Sequence, residues 1–445
     1  MKNITPELKF NLCFNPVFEK VDLEKLFSFV CKSPDLKNFL KIACEIAEKR
    51  GEFLYFAGGV VRDFLLKKET SDFDLVLQGN LDEFLKELCK KVKGKIVFKT
   101  RFLTYKFKLD LEKSREFLID FITARKEVYP EIASLPEVVP ANWEEDIKRR
   151  DFTINSLIIG LTPPYRGFLI DCFCGKEDLE KGIIKPLKPD SFVEDPTRIF
   201  RGIRYKVRFN FKFGEEFFIC LQECYKKNAL KKLSSSRLAN ELLLFLNKEP
   251  RENLYELLKT TFNLKIFEKI EVPVTEKEIL FMCEILEKTG KKLLSKEKNK
   301  FFLLVLSGEP GNGEKLSFSP EEVKKLDIFF KKFKNRVKNW KKMKIWEKVE
   351  FLEKFPLFFV LFAGVKFEEL KEDVINFVLN WRDIKSEITG EEIIRMGITE
   401  GKKIGEVLKL LRRKKLEGKF SNKAQEMEFL KRKFGLQEDF SLEEF

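Results

Sequence analysis

"FAGGVVRDFLLKKETSDFDLVL", residues 56–77, is the stretch that decides the fold of this sequence. A short apolar run ends at Gly58 and Gly59, a helical pattern follows, and a second apolar run carries Asp72 and Asp74. In a strand, residues i and i+2 face the same side, so we expect the two aspartates to project together while their apolar neighbours face the core. The stretch therefore predicts a strand, a glycine turn, a helix and a strand that presents two carboxylates.

The paired aspartates indicate metal chemistry. Two ionised carboxylates held this close repel each other, and a divalent cation relieves the repulsion. Hard oxygen ligands suit Mg²⁺, and a pair of such ions can hold the attacking and leaving oxygens in phosphoryl transfer. The structural alternative is that Asp72 caps the polar loop "KKETSDFD". We take Asp72 and Asp74 as candidate catalytic and metal-binding residues, and Asp120, at the end of an apolar strand run, as a third catalytic candidate.

The glycine pair suggests a phosphate site, because bare backbone amides at a helix amino end can approach phosphate closely. Together with the aspartates it describes a nucleotidyltransferase arrangement, with a triphosphate on the glycine turn and metals on the carboxylates. "GGVVRD" followed by "DFDLV" resembles the first motif of the class II tRNA nucleotidyltransferase and bacterial poly(A) polymerase family. The resemblance implies that Gly58, Gly59 and Arg62 belong to the nucleotide site.

Composition narrows the function classes. Lys and Arg outnumber Asp and Glu by 86 to 72, which suits a polyanionic partner such as nucleic acid, although a thermophile's charged surface explains it equally well. Histidine is absent, which excludes a His base or a His metal ligand. The nine cysteines lack paired C-x-x-C spacing and fit buried thiols in a reducing cytosol. With neither a signal-peptide run nor a membrane-length apolar run, we expect a cytoplasmic protein without a membrane partner.

The periodicity predicts an α+β protein, with a small mixed-sheet nucleotidyltransferase head followed by an all-helical neck, body and tail. Residues 1–50 are interpreted as an N-terminal helical extension and 51–165 as the catalytic head. Residues 166–245 form the expected neck for nucleotide base recognition, 246–330 the helical body and 331–445 the helical, tRNA-binding tail.

A second motif lies in "EEDIKRRDFTINSL", residues 144–157. A helix with a solvated charged face is the ordinary explanation of such a charge cluster. However, "RRDFTIN" closely resembles the second motif of the same family. The resemblance implies that Arg150 holds nucleotide phosphate, Asp151 contacts the ribose and Asn155 supports the site. "LIDCFCGKEDLEKGIIKPL" resembles the next family segment, whose residues we expect to be mainly structural.

The segment "FVEDPTRIFRGIRYKVRF" predicts a helix that starts at Asp195 and carries arginines on one stripe. Such a row of arginines can simply be an exposed, solvated helix face. A carboxylate beside an arginine can, however, also imitate the hydrogen-bonding edge of a base. That edge matches the amine and ring acceptor of cytosine or adenine and rejects uracil and guanine. "EDPTR" resembles the family's amino-acid template motif, which implies that Asp195 and Arg198 read the incoming base while Arg201 and Arg204 help to hold the nucleotide.

Two later segments bear on the neck and on RNA binding. "LSSSRLANELLLFL" resembles the last neck motif, and Arg237 and Glu241 in it have the spacing of an intrahelical ion pair. Residues 331–344, "KKFKNRVKNWKKMK", contain eight basic residues, no acid, and Phe333 and Trp340. This composition suits an RNA backbone with an occasional stacking contact, or else a solvated basic helix. The segment from "ITGEEIIRMG" onward resembles the family's tail, which implies contact with the acceptor and TΨC arms of tRNA.

The resemblance implies a template-independent tRNA nucleotidyltransferase that adds C, A or both to the tRNA 3′ end from CTP and ATP, with Mg²⁺ and release of pyrophosphate. Bacterial poly(A) polymerase shares the head, but "KTRFLTYKF" replaces the Gly-Arg-Arg-Phe-like stretch common in polyadenylating relatives. A non-catalytic RNA-binding protein of the same fold is the other alternative. CCA, CC-only and A-only adders differ partly in a flexible loop, here around "TARKEVYPEIASLPEVVPANW". A partial adder would need a second nucleotidyltransferase acting on the same tRNA.

Overall fold

The computed structural model describes residues 10, 12, 14–31, 33–70, 73–111 and 115–434. Asp72 lies outside the described residues. The chain divides into two compact units, Met1–Ile270 and Glu271–Phe445, and the division falls inside the predicted body. In the part of the chain that the structure describes, no helix has the length and apolar character to cross a membrane.

In the part of the chain that the structure describes, all strands lie in the first unit. They are β1 (Val17–Lys20), β2 (Phe53–Ala57), β3 (Asp74–Gln78), β4 (Gly94–Lys99), β5 (Thr104–Leu111), β6 (Arg115–Thr123), β7 (Arg125–Val128), β8 (Glu137–Pro140), β9 (Ile158–Gly160), β10 (Phe168–Asp171), β11 (Ile183–Ile184) and β12 (Lys212–Phe213). Eight of them form one mixed sheet in the order β1-β10-β9-β2-β3-β6-β5-β4, while β7 pairs with β8 and β11 with β12. Within the large sheet β3 and β6 run parallel, and the remaining neighbours are antiparallel.

Helices of the first unit cover the sheet and continue beyond it. They are α1 (Leu23–Val30), α2 (Pro34–Lys49), α3 (Gly59–Leu65), α4 (Leu81–Lys91), α5 (Trp143–Lys148), α6 (Gly175–Lys181), α7 (Ser191–Glu194), α8 (Thr197–Phe209), α9 (Glu215–Lys226), α10 (Ala229–Lys232), α11 (Ser235–Asn247), α12 (Leu254–Asn263) and α13 (Ile266–Lys269). Phe39 of α2 packs on Phe107 and Phe121 of the sheet, and Phe84 of α4 packs on Phe121. These contacts bury one face of β5 and β6, which leaves their other face for the site.

The second unit is helical in its described residues. Its helices are α14 (Glu276–Thr289), α15 (Ser295–Leu306), α16 (Pro320–Val337), α17 (Ile345–Leu352), α18 (Leu357–Lys366), α19 (Lys371–Leu379), α20 (Gly390–Arg395), α21 (Gly401–Leu416) and α22 (Lys423–Phe434). Capping residues define several starts. Ser319 and Glu322 form a capping box at α16, with Pro320 in the first turn, and Thr275 with Glu278 does the same at α14.

Phe333 and Trp340 are core residues, so the prediction that they stack on RNA is wrong. Phe333 is fully buried, and its ring lies 4.7 Å from that of Phe355 and 5.0 Å from that of Phe351. The buried Trp340 donates its indole N–H to Asp373 at 2.7 Å. The eight basic residues around them are all exposed, so this segment is an amphipathic stretch whose aromatic residues serve packing.

The predicted α+β class is confirmed, with a mixed sheet followed by a largely helical remainder. The sheet extends beyond residues 51–165 at both ends, because β1 pairs with β10. All four residues of β1 are exposed, so this strand lacks the alternating apolar pattern from which strands are predicted. The pair β11 and β12, two residues each, likewise interrupts a region predicted to be helical.

Candidate active site

A cavity of about 1080 Å³ in the first unit gathers the predicted site residues. All of those that the structure describes line it: Gly58, Gly59, Arg62, Asp74, Asp120, Arg150, Asp151, Asn155, Asp195, Arg198, Arg201 and Arg204. They come from β2, α3, β3, β6, the segment after α5, and α8. The cavity therefore joins three motifs that are up to about 150 residues apart in the sequence.

The glycine turn lies between β2 and α3. Gly58 has φ +69° and ψ −122°, a backbone conformation that residues with a side chain rarely adopt. A Cβ atom at this position would lie 3.0 Å from Nη1 of Arg150. Glycine is thus required both for the turn and for the close approach of the arginine.

The carboxylates lie on neighbouring parallel strands. Asp74 of β3 is in register with Asp120 of β6, so both side chains project from the same sheet face into the cavity. The predicted pairing of the Asp120 strand beside this strand is confirmed. Nζ of Lys106 donates to both oxygens of Asp120, at 3.0 and 3.2 Å. Two carboxylates facing one cavity provide hard oxygen donors of the kind that a divalent cation prefers.

Arg150 is oriented by Asp146, a residue that the sequence analysis missed. Asp146 is fully buried, and its Oδ2 accepts a hydrogen bond of 2.8 Å from Nη2 of Arg150, while Oδ1 accepts two from Arg149. Burial alone would raise the pKa of Asp146, but the two guanidinium groups hold it well below the usual range. The spacing of Asp146 three and four residues before the arginines could have revealed this contact.

A second network joins Asp151 to three other predicted residues. Its Oδ2 accepts a hydrogen bond of 2.7 Å from Nε of Arg201, and its Oδ1 accepts one of 2.9 Å from the amide of Asn155. Oδ1 of Asn155 in turn accepts from Nη1 of Arg62 at 2.8 Å. Burial would raise the pKa of Asp151, but Arg201 and these hydrogen bonds lower it to about 2. Asp151 is therefore an anion that fixes the guanidinium of Arg201.

Asp195 lies two residues before α8, which begins at Thr197 with Pro196 as its N-cap, so the helix starts one residue later than predicted. Oδ1 of Asp195 accepts hydrogen bonds from the backbone N–H of Thr197 at 3.0 Å and from Nη2 of Arg237 at 2.8 Å. None of the described residues donates a hydrogen bond to its Oδ2. Arg237 also donates to the carbonyl oxygen of Ala133 at 2.6 Å. Arg237 thus pairs with Asp195 rather than with Glu241, and the intrahelical explanation is wrong.

Arg198 is buried and held from three sides. Its Nη1 donates to Oγ of Ser191 at 2.9 Å, and its Nη2 donates to the carbonyl oxygen of Arg149 at 3.0 Å. The hydroxyl of Tyr129 lies 3.3 Å from the same Nη2. Tyr129 lines the cavity too, and no sequence signal identified it. These contacts hold the guanidinium group of Arg198 in place.

The remaining arginines of α8 are paired with acids, so the stripe is not simply solvated. Nη2 of Arg204 lies 3.6 Å from the buried Oε2 of Glu241, and Arg208 donates to both oxygens of the buried Glu249. Burial raises the pKa of Glu241, which Arg204 and Arg201 partly offset. The buried Nε atoms of Arg150 and Arg204 have no acceptor among the described residues. The buried Oε2 of Glu241 likewise has no hydrogen-bond donor among them, so the charges in this part of the cavity are only partly paired.

Comparisons with known proteins agree with this geometry. The family model described as "Poly A polymerase head domain" matches residues 54–185. The A-adding tRNA nucleotidyltransferase of Aquifex aeolicus is 31% identical over 386 residues, which cover 81% of this chain and 44% of that protein. The chain spans about half the length, or less, of the curated relatives it matches.

Two solved structures are also similar. One, described as a CCA-adding enzyme in apo form II, has a TM-score of 0.76 and 24% identity, and the match covers 94% of this chain and 99% of that one. The other, a tRNA-processing enzyme with CTP, has a TM-score of 0.63 and 29% identity, with 84% and 99% covered. The first establishes the shared fold, and the second is similar in sequence as well.

Proposed function

Because this chain belongs to the class II tRNA nucleotidyltransferase and poly(A) polymerase family, we propose that it is a template-independent tRNA nucleotidyltransferase that adds C, A or both to the tRNA 3′ end. The observation that carries this proposal is the single cavity that combines a glycine turn, two carboxylates and several arginines. The arginines that line this cavity include Arg150, Arg201 and Arg204. A nucleoside triphosphate matches such a set of donors.

In the proposed reaction, the 3′ hydroxyl oxygen of the RNA bonds to the α-phosphorus of the incoming nucleotide, and the bond to pyrophosphate breaks. Arg150 and Arg204 bind phosphate oxygens, and Asp146 keeps Arg150 oriented towards them. Asp72, Asp74 and Asp120 are the proposed catalytic carboxylates, with Mg²⁺ on Asp72 and Asp74. The bound ion would lower the pKa of the attacking hydroxyl and neutralise charge on the α-phosphate.

Asp195 and Arg198 are the proposed readers of the base. Oδ2 of Asp195 accepts no hydrogen bond from the described residues, which leaves it available to accept one from the exocyclic amine of cytosine or adenine. Arg198 supplies the neighbouring donors, held in place by Ser191 and the carbonyl of Arg149. Uracil and guanine carry a carbonyl oxygen at the position of that amine. This oxygen and the Asp195 carboxylate are both hydrogen-bond acceptors, so they would repel each other. Asp151, whose carboxylate holds Arg201, is the proposed contact of the ribose.

The proposed RNA partner is tRNA, contacted through its acceptor and TΨC arms. The basic surface of residues 331–344, defined by its eight lysine and arginine residues, supports this in the second unit, since all eight are exposed. Such a surface binds phosphate backbones without regard to sequence. The proposed location is the cytoplasm, which a role in tRNA processing supports. If the enzyme adds only part of CCA, a second nucleotidyltransferase acts on the same tRNA.

We further propose that adenosine is among the nucleotides added, since the Aquifex aeolicus relative is A-adding. The alternative within the family is a poly(A) polymerase, which shares the head domain that the family model matches. The two differ in product, because a tRNA enzyme stops after completing CCA and a poly(A) polymerase continues.

The carboxylate assignment is tested by Asp74→Asn and Asp120→Asn in the full chain. We expect Mg²⁺-dependent incorporation of labelled nucleotide into tRNA to fall by at least about a hundredfold, because Asp74→Asn removes an anionic ligand of the proposed metal site and Asp120→Asn removes the catalytic carboxylate beside it. Binding of the same tRNA, measured by filter retention, should stay within twofold. Asp110→Asn, at an exposed position on β5, is the matched control. Full activity in both site variants would refute the assignment.

A further inference from the structure

The sheet face that carries the catalytic carboxylates continues towards the edge strand β4. In the register of the sheet, Asp120 of β6 is opposite Lys106 of β5, and Lys106 is opposite Phe98 of β4. Side chains of paired residues share a face, so Phe98 stands on the same face as Asp120 and Asp74. A second row on this face runs from Leu118 through Lys108 to Lys95.

Two large apolar side chains are exposed on this face. Phe98 is 58% exposed and Leu118 is 58% exposed, while α2 and α4 pack on the opposite face of the sheet. A single exposed apolar residue is ordinary on a protein surface. Here two such residues lie in adjoining rows beside Asp120, and the described residues leave more than half of each side chain exposed.

Lysines alternate with these apolar residues. Lys95 and Lys106 are exposed, and Lys108 is half-buried. Lys106 contacts Asp120, and Lys108 forms an ion pair with Glu116, so both charges are held on the face. Exposed aromatic side chains on a sheet, flanked by cationic groups, are the arrangement on which unpaired bases stack.

The distances suit a short stretch of nucleic acid. Neighbouring strands are about 4.8 Å apart, so Phe98, two strands from Asp120, lies roughly 10 Å from it. Leu118 is two residues from Asp120 on one strand, which is roughly 7 Å. Stacked nucleotides advance about 3.4 Å each. Both apolar side chains therefore lie within a few nucleotides of a 3′ hydroxyl placed at the carboxylates.

We propose that this face, the β4–β6 platform formed by Lys95, Phe98, Lys106, Lys108 and Leu118, receives the unpaired 3′-terminal nucleotides of the RNA substrate. A base stacks on Phe98, Leu118 contacts a second base a few nucleotides away, and the lysines neutralise the intervening phosphates. The inference rests on the proposed function, since it is the reacting 3′ end that fixes the position of the strand. The occupant is single-stranded RNA rather than protein because the platform is continuous with the catalytic carboxylates.

The test compares Phe98→Ala, Leu118→Ala and Phe98→Trp in the full chain. Loss of one stacked base raises the KM for a tRNA lacking its terminal A, or the Kd for a short unextendable single-stranded RNA, by roughly fivefold or more. The KM for the nucleotide triphosphate should change less than twofold. Phe98→Trp keeps a stacking surface and should therefore retain the RNA affinity of the wild type. Phe218→Ala, at a 43% exposed phenylalanine of α9, is the matched control.

Binding of the unextendable RNA is read by fluorescence anisotropy, which does not require turnover. If the wild-type chain incorporates nothing, the proposed function fails, and this binding measurement still decides on the platform. Unchanged RNA Kd and KM in both alanine variants would overturn the inference. So would a wild-type dimer in sedimentation that Phe98→Ala converts to a monomer, since a second copy would then cover the face.

Discussion

At the scale of single residues, Arg237 links two parts of the site that are distant in sequence. It donates to Oδ1 of Asp195 at 2.8 Å and to the carbonyl oxygen of Ala133 at 2.6 Å. Ala133 lies between β7 and β8, in the loop that the sequence analysis relates in part to the difference between C and A addition. The side chain that orients the proposed base reader is therefore also bonded to this loop.

Arg237→Lys should loosen base selection, because a lysine ammonium lacks the planar pair of donors that reaches both acceptors. We expect kcat/KM for the cognate nucleotide to fall about tenfold, the loss of one charge-assisted hydrogen bond. Misincorporation of UTP should rise at the same time. Steady-state kinetics with each of the four triphosphates measures both effects.

Asn240→Ala, an exposed position on the same helix, serves as the control and should behave as the wild type. If Arg237→Lys retained wild-type selectivity among the four nucleotides, Asp195 would not depend on Arg237 for its position.

At the scale of elements, the turn between β2 and α3 depends on the backbone freedom of glycine. Gly58→Ala should both strain the turn and push Arg150 away, since the added Cβ would lie 3.0 Å from its Nη1. We expect a loss of about 1 kcal/mol or more in stability and a several-fold rise in the KM for nucleotide. Denaturant unfolding and nucleotide kinetics test the two effects.

Gly51→Ala serves as a control that strains the backbone without displacing Arg150. Gly51 also has a positive φ, +66°, but a Cβ there would meet nothing within 4 Å. This variant should lose stability while keeping the wild-type KM for nucleotide. An equal rise in KM in both variants would show that the effect at Gly58 is not local to Arg150.

The central strands of the large sheet were predictable from the sequence. Some short or exposed strands and the acids that pair with the arginines of α8 were not. Apolar runs predicted β2, β3 and β6, because these strands face a core on at least one side. The strands β1, β11 and β12 are too short or too exposed to give that signal. The motifs identified the arginines of α8, but their acids, such as Glu249, come from other elements and only the fold brings them together.

At the scale of the whole molecule, part of the positive charge is concentrated in one segment. The basic surface of residues 331–344 carries eight of the chain's 86 lysine and arginine residues, all exposed and without an intervening acid. Its two aromatic residues are buried, so RNA binding there would depend on charge alone. Charge-dependent binding weakens with salt in proportion to the number of phosphates neutralised.

Replacing Lys334 and Lys338 by glutamine should weaken tRNA binding at low salt. The slope of log K against log salt concentration should fall by about one to two, since each phosphate contact contributes about 0.7 to 0.9. Lys324 and Lys325, exposed on the same helix beside Glu321 and Glu322, provide the matched control pair. Equal slopes for the two double variants would mean that the basic surface of residues 331–344 makes no phosphate contacts with tRNA.

The central claim is that the protein uses one active-site cavity to add nucleotides to a tRNA 3′ end, and that addition stops once CCA is complete. The most direct measurement supplies labelled CTP or ATP, with Mg²⁺, to three transcripts of one tRNA that end before CCA, after CC and after CCA. The account predicts addition of a single A to the CC-ended transcript and none to the complete one. No incorporation on any transcript, or long A tails on the complete one, would contradict it.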